Sequence, residues 1–228
     1  MKRLVVLAVL AVAACDRSGS SPSAGAGTAG TSGTGKAPGA DAPEVATDDQ
    51  SRFDQERQPE LLMHVLDLRP GMTVADVGAG TGLLTVHIAR SVFPGGHVVA
   101  TDINPSVLEY LGARMEAAGF DTVVEPRVVQ PTEPGLEPDH YDLILLAQVD
   151  HYFDDRVAWL TKAAPALKAD GRLAINNRLQ HRAAAMAAAA AVGFQLVTEV
   201  NDLPGQFVAI FKRGPAPGHA PAPTKGSP

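Results

Sequence analysis

Residues Thr73-Val74-Ala75-Asp76-Val77 form a short run of strand formers that breaks at once into Gly78-Ala79-Gly80-Thr81-Gly82. An apolar helical pattern over 83–93 follows directly. A strand that enters a helix through a glycine turn opens a βαβ unit, and such units require a parallel sheet with right-handed crossovers. Glycines at alternate positions permit a tight turn and let backbone approach a ligand closely. In open sheets of this kind, ligands sit beyond the carboxyl ends of the strands, where strand order reverses.

The rest of the chain repeats the alternation. Leu61, Leu62, Val65, Leu66 and Leu68 make an apolar stripe at helical spacing, and Arg69-Pro70-Gly71 ends it. Strands are predicted over 97–101, 122–129, 141–147 and 171–176, with Pro126 weakening the second of these. Helices are predicted over 105–118, 154–168 with an adjustment at Pro165, and the Ala-rich 181–192. Two final strands, 195–200 and 206–211, have no helix between them, so they run antiparallel to one another. The expected fold is α/β, a seven-stranded mostly parallel sheet with an antiparallel last strand and helices on both faces. It spans residues 46–213.

Asp76 argues about the ligand. A carboxylate just before the first glycine repels a phosphate and attracts a cation. A second carboxylate, Asp102, ends the next strand about 24 residues after Gly78, where it can accept both hydroxyls of a ribose. A dinucleotide loop reads G-x-G-x-x-G, whereas this one reads G-x-G-x-G after an Asp, which makes dinucleotide binding the weaker alternative. S-adenosylmethionine (SAM) carries a sulfonium and an amino group, and the loop resembles motif I of class I SAM-dependent methyltransferases, a Rossmann-like family. The resemblance extends over Arg57-Gln58-Pro59, residues 69–78, 101–105, 141–146, 150–153 and 167–173. It implies that Gly78, Ala79, Gly80 and Gly82 lie against the methionine part of SAM, with Asp76 orienting it. It further implies that Asp102 holds the ribose, that Ile103 and Gln130 border the adenine, and that Ala147 and Gln148 end the fourth strand beside the methyl donor. The chain departs from the family after the fourth strand, with His151-Tyr152 where relatives often carry two histidines. It departs again after the fifth, with Asn176-Asn177 in place of an acidic residue.

Methyl transfer needs a base only when the acceptor must lose a proton. Asp150 and His151 are the candidate catalytic residues, His151 because imidazole works near neutral pH; packing of a loop is the competing role for His151. Arg52, Phe53 and Arg57 precede the first predicted helix, either as a cover over the cofactor or as an exposed arm. No spacing of His and carboxylates suggests a metal site. A net charge of −6 argues against nucleic acid as a partner. A small-molecule acceptor is expected.

The ends of the chain differ from the middle. Met1-Lys2-Arg3 and the apolar run 4–14 have the form of a signal peptide, too short to span a bilayer. The run ends in Val12-Ala13-Ala14-Cys15, which resembles a bacterial lipobox, and Cys15 is the single cysteine. The expectation is a signal peptide over 1–14 and a lipidated Cys15 heading a disordered tether over 15–45, which reaches roughly 30 Å as a coil. A disordered Pro/Ala/Gly tail over 214–228 completes the organisation. The expected location is the cell envelope, lipid-anchored, or the cytoplasm if the signal is not used. Because SAM is made inside cells, a second reading stands beside the enzyme: a non-catalytic tethered module with this fold, binding a nucleoside-like ligand or a protein.

Overall fold

The computed structural model describes residues 47–214. The signal, Cys15 and tether readings, and all of the tail reading except Gly214, lie outside the described residues. Gly214 belongs with the domain, since its N–H donates to the Gly193 carbonyl at 3.0 Å.

The elements run α1 (Thr47–Arg57), α2 (Pro59–Leu66), β1 (Thr73–Val77), α3 (Thr85–Val92), β2 (His97–Asp102), α4 (Pro105–Ala118), β3 (Val124–Val128) and β4 (Tyr141–Ala147). They continue with α5 (Arg156–Ala163), β5 (Leu167–Arg178), α6 (Arg182–Ala191), β6 (Phe194–Val200) and β7 (Gln206–Arg213). One seven-stranded sheet has the order β3-β2-β1-β4-β5-β7-β6. The chain moves outward from β1 to β3, then returns to place β4 on the other side of β1, so the order reverses between β1 and β4. β7 is antiparallel to both of its neighbours, inserted between β5 and β6.

Side-chain alternation along the strands divides the core in two. On one face Val74, Val98, Leu143 and Leu145 pack with Leu62 and Leu66 of α2, Ile88 of α3 and Leu111 and Met115 of α4. On the other, Ala75, Val99, Ile144 and Leu146 pack with Trp159 and Leu160 of α5 and Ala185 and Ala189 of α6. β4 is buried from both sides over Leu143–Leu146, which explains the apolar run that follows Asp142. α4 covers the expected 105–118: the Asn104 side chain caps it by accepting from Ser106 N, and Gly119 ends the helix at φ 74°.

Three boundaries differ from the sequence reading. β3 spans Val124–Val128, shorter than the expected 122–129; Pro126 lies inside it as expected, and β3 is an edge strand, where a missing N–H is tolerated. The helix expected over 154–168 stops at Ala163; a 3-10 turn carries Pro165, and β5 already begins at Leu167, paired with Tyr141. Pro165 removes the amide that would continue the helix, and the register then shifts so that Arg172, not Ala169, faces Leu143. The segment before Pro59 is a helix, α1, not an arm.

Leu145 is fully buried in the central strand, whereas Leu196 on the edge strand is 49% exposed. Leu145→Ala is expected to cost about 3 kcal/mol of stability and Leu196→Thr within about 0.5 kcal/mol of nothing, both read from urea unfolding.

Candidate functional site

The loop after β1 is held by its neighbours through backbone. The Thr101 carbonyl at the end of β2 accepts both Gly78 N–H (2.8 Å) and Ala79 N–H (2.9 Å). Asp102 then accepts Gly80 N–H on Oδ2 and Asn104 N–H on Oδ1, each at 3.0 Å. Both carboxylate oxygens retain a lone pair for a further donor. The glycines serve different ends. Gly78 has φ 69°, and a Cβ there would lie 2.5 Å from Cγ2 of Val149. Gly82 has φ 81° and packs beneath the loop, where a Cβ would meet Leu111 at 2.8 Å. Gly80, at φ 56°, would place a Cβ in open space, so its bare backbone keeps a cradle clear.

Asp76 is buried at 2% exposure, and the Thr85 hydroxyl in the first turn of α3 donates to it at 2.7 Å. Burial pushes its carboxyl up to about 6, and the nearby Asp102 charge adds to the rise.

Two cavities flank Gly78. One, of about 260 Å³, is lined by Phe53 and Arg57 of α1, by Asp76, Gly78, Ala79, Gly80 and Thr81, and by Ala147 and Asn176 at the ends of β4 and β5. The other, of about 380 Å³, is lined by Asp102, Ile103, Gln130, Gln148, Val149, Tyr152, Phe153 and Trp159. The first has a charged floor; the second is an apolar slot with a carboxylate at one end. Ile103 stands 59% exposed at its edge. Two carboxylates around a bare glycine turn suit a cationic nucleoside and oppose a pyrophosphate.

Asp76, Gly78, Ala79, Gly80 and Ala147 therefore meet at the first cavity, and Asp102, Ile103, Gln130 and Gln148 at the second. Gly82 supports the loop from below. Asp150 and His151 are in neither lining. Asp150 is buried at 2% exposure with both oxygens engaged, by Arg156 Nε at 2.9 Å and Asn177 Nδ2 at 2.6 Å. That engagement ties the loop after β4 to β5 and α5. His151 Nδ1 lies 2.9 Å from the same Asn177 amide, and its ring stacks on His181 with centroids 4.4 Å apart. Burial, then the adjacent His181, lowers the His151 pKa.

Sequence reasoning named Gln148 and Asn176 but missed Gln206 and the bonds that join the three into a floor. Gln148 sits at φ 59° and donates its N–H to the Asn176 carbonyl at 2.7 Å, while its side chain reaches Gln206 at 3.0 Å. Asn176 donates to the same Gln206 oxygen at 3.3 Å and to the Phe207 carbonyl at 3.1 Å. It also missed how α1 is seated. Gln50 donates to the Leu83 carbonyl at 3.1 Å, and Arg114 bridges Gln50 and the Thr81 carbonyl, both at 3.0 Å. A polar residue ending a strand was the only sequence signal for the floor; α1, polar along its length, gave none.

Comparison with known proteins agrees with this geometry. Residues 75–173 match the profile described as "Methyltransferase domain". The chain is 30% identical over 116 residues to nocamycin O-methyltransferase of Saccharothrix syringae, covering 51% of this chain and 41% of that one. It superposes on a SAM-dependent methyltransferase from Aquifex aeolicus with TM-score 0.67 and 19% identity, over 76% of this chain and 98% of the other. The fold is that of the SAM-dependent methyltransferases. A geranyl diphosphate C-methyltransferase from Streptomyces coelicolor, solved with S-adenosyl-L-homocysteine, superposes at TM-score 0.59 and 16% identity, over 69% of this chain and 78% of that one. SAM is the cofactor these comparisons support, and the bare Gly80 cradle between two carboxylates fits it. The chain spans less than half the length of the curated relatives it matches.

The raised Asp76 pKa has a stability consequence. The folded state favours the protonated acid, so stability falls as pH rises from about 4, where the unfolded chain ionises, to about 6, and stays low above. Asp76→Asn keeps an acceptor for Thr85 without the buried charge. It is expected to unfold about 1–3 kcal/mol harder than wild type at pH 8, a gain that disappears near pH 4. Urea titrations at the two pH values measure it.

Proposed function

We propose that this chain is a SAM-dependent methyltransferase acting on a small-molecule acceptor. The observation that carries the reading is the pair of carboxylates, Asp76 at the end of β1 and Asp102 at the end of β2, on either side of an open glycine turn. The matching domain profile supports it, and so do relatives named for small acceptors, nocamycin and geranyl diphosphate.

When bound, SAM supplies an electrophilic methyl group on a cationic sulfur, and the protein supplies orientation and exclusion of water. Asp102 would take the ribose hydroxyls, with its position fixed by Gly80 N–H and Asn104 N–H. Asp76 would face the positive end, its charge held by Thr85. Ile103, Val149 and Trp159 offer apolar surface for the base, with Gln130 at its edge. Ala147 leaves room at the end of β4 because it carries only a methyl group. Phe53 and Arg57 close the first cavity from α1. Asp150 and His151 stay outside both linings, so positioning rather than proton abstraction is the contribution of the residues lining the cavities.

Calorimetric titration of S-adenosylhomocysteine into the full chain tests the reading. Micromolar binding is expected, weakened about tenfold or more by Asp102→Ala, and SAM affinity should rise as pH passes about 6 and Asp76 ionises. No binding at millimolar ligand to folded protein overturns the reading and favours a tethered module without this activity.

The envelope location is likewise our proposal, resting on the 1–15 sequence. Palmitate label should enter the expressed chain and disappear in Cys15→Ala; recovery of unlabelled protein with Met1 intact would exclude the anchor.

A further inference from the structure

Arg57 ends α1 and lines the first cavity with Ala147 and Asn176. It is half-buried, and its contact within the fold is the Phe53 ring, with Cζ 6.0 Å from the centroid. Arg178 stands two residues beyond Asn176 on β5, so strand alternation puts both on one face. Asn176 lines the cavity, and Arg178, exposed, is the next residue on that face of β5, outside the lining. Burial, then the positive charge of Arg178, depresses the Arg57 pKa.

Among the described residues neither arginine has an ion-pair partner. The acids of this region are committed elsewhere. Asp150 is held by Arg156 and Asn177. Asp76 is held by Thr85, and the charge that reaches it is that of Asp102, not Arg57. Glu56, beside Arg57 in sequence, is exposed and exerts only the smallest of the influences on it. The stacked pair His151 and His181 brings no negative charge. The whole chain carries a net charge of −6, so two uncompensated guanidiniums at this mouth are not the by-product of a basic surface.

The charge count with cofactor decides the direction. The amino-acid end of SAM carries one ammonium and one carboxylate, which cancel, and its sulfonium adds a positive charge. Asp76 and Asp102 then balance Arg57 and the sulfonium, and the exposed Arg178 beside the site adds one positive charge that no described acid pairs with. Guanidinium forks accept carboxylate or phosphate in bidentate geometry.

Resting on the methyltransferase reading, we infer that the acceptor carries an anionic group, recognised by Arg57 of the first cavity and by Arg178 at the end of β5 beside it. The test uses the full chain saturated with S-adenosylhomocysteine, titrated with benzoate, its neutral twin benzamide, and inorganic phosphate. Benzoate or phosphate is expected to bind at least about tenfold more tightly than benzamide, and which of the two is preferred separates a carboxylate from a phosphate. Arg57→Gln and the exposed Arg178→Gln should each reduce that preference to about threefold or less, with thermal melts unchanged; Arg178→Gln, outside the cavity lining, should also leave S-adenosylhomocysteine affinity within about threefold. Equal binding of charged and neutral probes, or a preference that survives both substitutions, overturns the inference. So does a different pattern: Arg57→Gln weakening S-adenosylhomocysteine about tenfold while methylthioadenosine, which lacks the amino-acid end, is unaffected. The anion on Arg57 would then be the cofactor's own carboxylate. Failure of S-adenosylhomocysteine to bind the wild-type chain removes the methyltransferase reading itself, and this inference with it.

Discussion

One carbonyl, that of Thr101, accepts two successive amides, Gly78 and Ala79. This pins the turn after β1 to the end of β2, and the site is built around it. With the turn fixed, Asp102 receives Gly80 N–H and is aimed along the sheet's carboxyl edge. Asp76 is drawn under the turn, into the reach of Thr85. Gly78 is then pressed against Val149, which leaves no room for a side chain and separates two cavities with a single residue. The arrangement demands a φ near +69° at Gly78, and only glycine adopts it without strain.

The sheet makes this possible through its order. Because β1 lies between β2 and β4, the crevice opens at the reversal of strand order, where crossover helices leave on opposite faces. Charge is then distributed across it: carboxylates on the β1 and β2 side, guanidiniums on the β5 and α1 side. α1 is held by hydrogen bonds from Gln50 and Arg114 rather than by an apolar face, with Phe53 as its one large apolar side chain toward the cavity. An element secured that way is easier to open than one buried in the core.

Much of the fold was legible in the sequence because its signals are local. Two-sided burial made 143–147 an unbroken apolar run, and α4 occupies the expected 105–118. The sequence reading erred where tertiary pairing overrode local pattern. Leu167 and Lys168 continue a helical stripe, yet Leu167 pairs with Tyr141 and starts a strand. α1 has no apolar periodicity to read, because its partners are the side chains of Arg114 and His87 and the Leu83 carbonyl. At the site, Asp150 looked available for chemistry; the residue that engages it, Asn177, is 27 positions away.

The sequence by itself determined the strand, the glycine turn and the two carboxylates, since turn geometry and the sign of a charge beside it are properties of neighbouring residues. Which charges are neutralised was decided only by the tertiary structure. Arg156 reaches Asp150, whereas Arg57 and Arg178 have no ion-pair partner among the described residues. Pairing depends on distances set by crossovers, and a charge left over after folding is the one available to a ligand.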